Sequence, residues 1–263
     1  KTENISQVME DIAFRRGIGA ELAEGTKRLS KKYGGKDFAM QSKGLELSAY
    51  EPRRAVGQGL GYAVSNRGGC HLNGGYLVVL EGLGLNVDPQ TPKGKADLCM
   101  TMQDLMESIS LCGHCLFTSY AVFPAFLISK PNSPLSRMIN FMLPHLGWAV
   151  RLLNKFPWIA FMNLPLIPYT YELKYCVGMK MNIGRFLRAG ERSYNIERAV
   201  NARFGVCAEK DKLPRRLTDV LQDPDDPNSK VPLEQMKRCY YKARGWGRDG
   251  LPDTKKLKRL GIE

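Results

Sequence analysis

Asn66-Arg67-Gly68-Gly69-Cys70-His71-Leu72 and, further along the chain, Ser110-Leu111-Cys112-Gly113-His114-Cys115 are the two stretches around which the sequence is organised. Between them they carry two of the three histidines and three of the seven cysteines. The first lies in a region, Asp37 to Gly94, where glycine recurs at 44, 57, 59, 61, 68, 69, 74, 75, 82 and 84. That density argues against helix, and alternation is too weak for a sheet, so the region reads as a long Gly-rich loop. Backbone of this kind folds tightly around something or lies close to a ligand; a long surface loop is the alternative.

The second stretch closes a helical period over Met102 to Phe117, with Leu105, Met106 and Ile109 on one face. Upstream, Ile5, Val8, Met9, Ile12 and Ala13 predict a first helix ended by Gly17 and Gly19, and Ala20 to Tyr33 a second, stopped by Gly34-Gly35. Downstream, Asn182 to Phe204 reads as a long helix with Gly205 as its stop, Pro232 as the first residue of another, and Thr254 to Leu260 as the last, closing on Gly261. The expected fold is all-α and multihelical: two helical domains, residues 1–40 and 41–263, with a long Gly-rich loop region.

Tyr120 to Tyr175 is apolar and punctuated by Pro124, Pro131, Pro134, Pro144, Pro157, Pro165 and Pro168. Arg137, Arg151 and Lys155 interrupt it, so no window reaches the roughly 18–20 apolar residues of a spanning helix. A core or subunit-contact insertion is expected there, not membrane contact.

With 263 residues, 43% of them hydrophobic, the chain can bury a substantial core. Its net charge of +13 raises the question of an anionic partner, yet no aromatic-rich basic segment or DNA-binding spacing stands out, and nucleic acid is not expected. Seven cysteines and no signal peptide favour a reducing cytoplasm. The chain opens on Lys1 and is read as a piece of a longer protein.

Cys112-x-x-Cys115 has several readings. A structural pair is the commonest; zinc would want a second ligand pair, a thioredoxin-like pair a preceding strand, and an iron-sulfur cluster further thiolates. His71 is open between a satisfied core histidine and a proton-transferring or anion-contacting one beside Arg67.

Blocks in order go beyond composition: Ile12-Ala13-Phe14-Arg15-Arg16-Gly17-Ile18-Gly19, Leu22-Ala23-Glu24-Gly25, Lys43-Gly44-Leu45-Glu46, Tyr50-Glu51-Pro52-Arg53 and Gly59-Leu60-Gly61-Tyr62-Ala63 running into the first stretch. Gly190-Glu191-Arg192, Leu213-Pro214-Arg215-Arg216, Tyr240-Tyr241 and Arg244-Gly245-Trp246 follow. In these the chain closely resembles the C-terminal half of the tungsten-containing aldehyde ferredoxin oxidoreductase family. Residues near 119–173 look like an insertion.

The resemblance implies a bis-pterin tungsten centre (tungstopterin) beside a [4Fe–4S] cluster, and oxidation of aldehydes to carboxylic acids with ferredoxin as acceptor. His71 would handle protons near the metal and Arg67 contact the pterin; Asn73 stands where the family often has lysine. Laid on the family's Asp-x-x-Gly-Leu-Cys pattern, Ser110 replaces the aspartate, Gly113 is the glycine, His114 replaces the leucine and Cys115 ligates the cluster, with Leu116 also at the cofactor and Phe117 at a family aromatic position. A second register uses Glu107 and Cys112 instead.

The three other cluster cysteines and the first pterin motif would lie before Lys1, so both cofactors are expected to be incomplete or absent in this chain alone, which should be colourless and inactive. Implied partners are the N-terminal half of the same protein, ferredoxin or another electron carrier, and a homodimer or hetero-oligomer. Alternatives are another tungstopterin chemistry, such as aromatic acyl-CoA reduction, or a catalytically silent scaffold, which Ser110 and Asn73 favour.

Overall fold

A computed structural model describes residues 4–83, 87–118, 129–130, 132–142 and 168–262, with positions 145, 148, 149, 152 and 156. Most of the predicted insertion near 119–173 lies outside these residues. Among the described residues the regular structure is helix, apart from one two-stranded hairpin, β1 (Gln41–Ser42) and β2 (Leu45–Glu46), and an isolated bridge between Trp246 and Pro252.

The helices are α1 (Ile5–Ala13), α2 (Ile18–Leu22), α3 (Thr26–Lys32), α4 (Val56–Val64), α5 (Lys95–Leu111), α6 (Pro134–Met142), α7 (Pro168–Cys176), α8 (Ile183–Arg203), α9 (Arg215–Thr218), α10 (Leu233–Arg244) and α11 (Thr254–Leu260). Their ends follow local chemistry. Asn182 Oδ1 caps α8 by accepting from Arg185 N–H at 2.8 Å, and Asp253 Oδ1 caps α11 through Lys256 N–H at 2.6 Å. Gly245 and Gly261 end α10 and α11 in the left-handed conformation, φ 67° and 64°.

Three expectations are corrected. Ala20 to Tyr33 is not one helix: Gly25, at φ 79°, separates α2 from α3, and its carbonyl starts the new ladder at Leu29. The Gly-rich loop is not continuous, because Gly57, Gly59 and Gly61 lie inside α4, whose every residue is buried, and a wide π-type turn spans Val79–Leu83. The glycines there serve packing: a Cβ on Gly61 would stand 2.3 Å from the Gly74 carbonyl oxygen, and one on Gly57 2.7 Å from Glu81 Oε1. Helix α5 also begins at Lys95, one turn and more before Met102.

Glu81 explains how so Gly-rich a helix is held. Its carboxylate accepts from the N–H groups of Gly57 (2.8 Å) and Gln58 (2.9 Å) at the start of α4, and Lys95 Nζ lies 2.5 Å from Oε1. A buried anion on a helix N-terminus, neutralised by a buried lysine, offsets the poor intrinsic propensity of glycine.

The core lies where α5 is crossed by α8 and covered by α10 and α4. At its centre the Arg244 guanidinium pairs with Asp104, donates to Gln103 Oε1 at 2.8 Å and to the Met100 carbonyl at 3.2 Å, and stacks 4.3 Å over the Tyr194 ring. Burial pushes the Asp104 carboxyl above its ordinary range, and the Arg244 guanidinium beside it pulls it back down. A second buried pair, Arg198 with Asp211, gathers the Lys43 ammonium at 2.8 Å and the Tyr241 hydroxyl at 2.7 Å. At the other end α1–α3 pack on one another, and α1 buries no residue completely.

Candidate functional site

The loop after α4 is fastened before it presents any side chain. Asn66 Nδ2 donates to the Tyr194 carbonyl (2.9 Å) and to Glu197 Oε2 (3.2 Å) of α8, and Asn201 Nδ2 returns a bond to the Asn66 carbonyl at 2.9 Å. Asn73 is buried, its Oδ1 accepting from Ser65 Oγ at 2.7 Å and from Arg67 N–H at 3.4 Å. Gly68, at φ 94°, lets the loop turn within 2.5 Å, measured from an added Cβ, of the Ser42 carbonyl oxygen. The result is an exposed Arg67 side chain on a fixed backbone.

His71 is half-buried in the same loop. Ser48 Oγ lies 2.7 Å from Nδ1, and the ring meets Tyr76 edge-on at 5.3 Å and Tyr50 at 5.8 Å between centroids. Among the described residues nothing bonds Nε2. Removal from water lowers the His71 pKa, so the imidazole is neutral at pH 7.

Helix α5 delivers the second stretch. It ends at Leu111, and Gly113 turns left-handed (φ 80°) so that His114 N–H reaches back to the Ile109 carbonyl at 3.3 Å. Cys115 follows, its thiol exposed and its carbonyl capped by Thr118 Oγ1 at 2.7 Å. Leu116 packs against the core, and Phe117 turns its ring to Tyr76 at 6.0 Å in an edge-on contact. Tyr76 therefore touches both His71 and Phe117, which brings the two stretches together.

Other residues sit differently. Ser110 is half-buried on the last turn of α5. Glu107 is turned to α8, bonded to Ser193 Oγ at 2.8 Å, its carboxyl pushed up chiefly by burial; Glu197 raises it further and Arg67 lowers it. The Cys112 thiol, half-buried, is raised by burial. His114 faces α7, with Nε2 2.7 Å from Glu172 and its ring 5.2 Å from Tyr169. Sequence reasoning missed Ser48 and Tyr76 altogether. Tyr76 carries one signal, an aromatic directly after Gly74-Gly75, where it adopts φ 51°.

The donor set fits part of the group that the family implies. Among the described residues no three metal-binding side chains cluster, so this chain can contribute one exposed thiolate, Cys115, to a four-thiolate shell. An exposed guanidinium at Arg67 suits an anionic or ring-acceptor group, whereas Asn73 spends its oxygen inside the loop.

Comparison with known proteins decides the family: a profile described as aldehyde ferredoxin oxidoreductase, domains 2 and 3, matches residues 1–262. The chain belongs to the aldehyde ferredoxin oxidoreductase family. It is 33% identical over 267 aligned residues to the tungsten-containing aldehyde ferredoxin oxidoreductase of Thermococcus kodakarensis, and 34% identical over 267 to that of Pyrococcus furiosus. Each alignment covers 99% of this chain but only 37% of the relative, so the chain spans little more than a third of a family oxidoreductase. In the all-α fold, and in membership of this family, the sequence-based expectations hold. Among the described residues no helix is long and apolar enough to cross a membrane.

Proposed function

We propose that this chain is the C-terminal part of a tungstopterin, iron-sulfur oxidoreductase that oxidises an aldehyde to a carboxylic acid. The reaction takes aldehyde and water to carboxylic acid, two protons and two electrons, the electrons passing to ferredoxin. The observation that carries the reading is the Tyr76 ring, which joins His71 at 5.3 Å to Phe117 at 6.0 Å, two residues beyond the exposed Cys115.

In this reading Cys115 is one thiolate of the cluster shell, and Arg67, with the backbone around Ser110, His114 and Leu116, lies against the pterin. Asn73 acts by holding the Arg67 backbone rather than by touching the ring system. Ser48 holds the His71 ring at Nδ1, and the neutral imidazole takes one of the released protons. The bound cofactors supply the redox chemistry. Residues 1–40 belong to one helical domain and 41–263 to the next, a division supported by the exposed surface of α1. The rest of the polypeptide supplies the other thiolates and the remaining wall of the pocket, and a cytoplasmic location suits exposed free thiols.

The test is made on the full-length protein, with metal content and aldehyde-dependent reduction of a viologen dye as readouts. Tungsten, iron and activity together are expected, and His71→Gln should lower kcat at least about 100-fold while leaving the metals in place. Metals without aldehyde oxidation would favour another tungstopterin chemistry. A metal-free protein would favour a silent scaffold, the reading suggested by Ser110 in place of a carboxylate.

A further inference from the structure

Away from His71 and Cys115, α10 and the turn after it enclose a cleft of about 720 Å³. Its floor is apolar because the polar atoms beneath it point inward: Trp246 Nε1 donates to Asn195 Oδ1 at 2.8 Å and the Tyr241 hydroxyl to Asp211 at 2.7 Å. Its walls carry Lys237, Arg238, Lys242 and Arg248 against one acid, Glu234. Lys237 takes that acid at 2.6 Å and also donates to the Asp211 carbonyl at 3.3 Å. Arg238, Lys242 and Arg248 are then left without an acidic partner among the described residues.

Two of these cations stand at i and i+4 on α10, where like charges repel, and the third faces them from the turn at 246–250. Such an arrangement costs stability in the free protein and is relieved by an anion seated between them. Two guanidinium forks and an ammonium match the several oxygens of a phosphate better than a single carboxylate. The cleft volume lies in the range of small-molecule sites, about 300–1,000 Å³.

We propose that this cleft binds a small phosphate-bearing molecule, its phosphates held by Arg238, Lys242 and Arg248 and its carbon skeleton resting on the edges of Ala208, Tyr241 and Trp246. None of the residues lining the cleft is among those proposed above to hold the redox cofactors. Arg238, Lys242 and Arg248 are all exposed, so replacing them leaves the core intact.

The experiment is calorimetric titration of the full-length protein with inorganic pyrophosphate and, separately, with a short polyglutamate. Arg238→Gln/Arg248→Gln is compared with Lys31→Gln/Lys36→Gln, which removes the same charge from exposed positions elsewhere. Pyrophosphate is expected to bind, and the cleft variant to weaken it about 100-fold, as loss of two charged hydrogen bonds requires, while the control changes it less than about 3-fold. Equal weakening in both variants means general counter-ion attraction and overturns the proposal. No binding of pyrophosphate by the wild-type protein overturns it too, as does tighter binding of polyglutamate through the same residues, which would make the cleft a seat for an acidic protein segment.

Discussion

Gly190 of α8 crosses Asp104 of α5 so closely that an added Cβ would stand 1.9 Å from the Asp104 carbonyl oxygen and 2.4 Å from Ser108 Oγ. No rotamer relieves a clash with backbone, so Gly190→Ala must push the helices apart. The expected loss is about 3 kcal/mol or more, read as a lower urea midpoint with an unchanged slope. The same substitution at Gly205, where an added Cβ would meet no atom within 4 Å, is constrained only by its φ of 76° and should cost about 1 kcal/mol.

Arg244 and Asp104 form a fully buried pair, and its two halves should behave unequally when removed. Arg244→Met leaves a buried carboxylate without its cation and should cost about 3–5 kcal/mol. Arg244→Met with Asp104→Leu removes both charges and should recover part of that loss. A double-mutant cycle by denaturant unfolding measures the coupling.

The cysteines should sort by accessibility in the chain as described. Cys115, Cys176 and Cys239 are exposed and should react first with a thiol reagent, whereas Cys99 is buried, its thiol pushed well up by burial, and should react only on unfolding. In the metal-loaded full-length protein Cys115 should drop out of the fast class while Cys176 and Cys239 stay in it. Peptide mapping after brief alkylation reads the difference.

His71 gives the pH dependence. Burial lowers its pKa in the folded chain, so between that value and the unfolded value near 6.5 the unfolded chain binds more protons. Stability contributed by neutral His71 is therefore present above about 6.5 and is lost as pH falls toward the folded pKa. His71→Gln should flatten the urea midpoint between pH 7.5 and pH 5. In the full-length enzyme the acid limb of kcat/KM should lie below pH 6.5, and Ser48→Ala should shift it without removing the metals.

The elements legible in the sequence are those whose signals are local. Asn182 and Gly205 bracket α8, and Gly261 closes α11, because a cap bonds to residues three or four places away. Helix α4 was hidden for the opposite reason: Gly57, Gly59 and Gly61 are there for Glu81, Val231 and Gly74, neighbours brought from elsewhere in the chain. At the site, Arg67, His71 and Cys115 were found through the pattern around them. Ser48 and Tyr76 were not, since a hydroxyl held to an imidazole and a ring between two others leave no trace in spacing.

Arg244 also sets an order of assembly. The carbonyl of Met100, the side chain of Gln103 and the carboxylate of Asp104 all wait on a guanidinium 140 residues or more further along the chain. During synthesis α5 can form its ladder early, yet its buried face holds an uncompensated anion until α10 has cleared the ribosome. Cys115, at the end of that helix, therefore reaches its final position only after Arg244 has been made. A nascent chain arrested before Arg244 should leave the Cys99 thiol open to alkylation, and extension beyond α10 should close it.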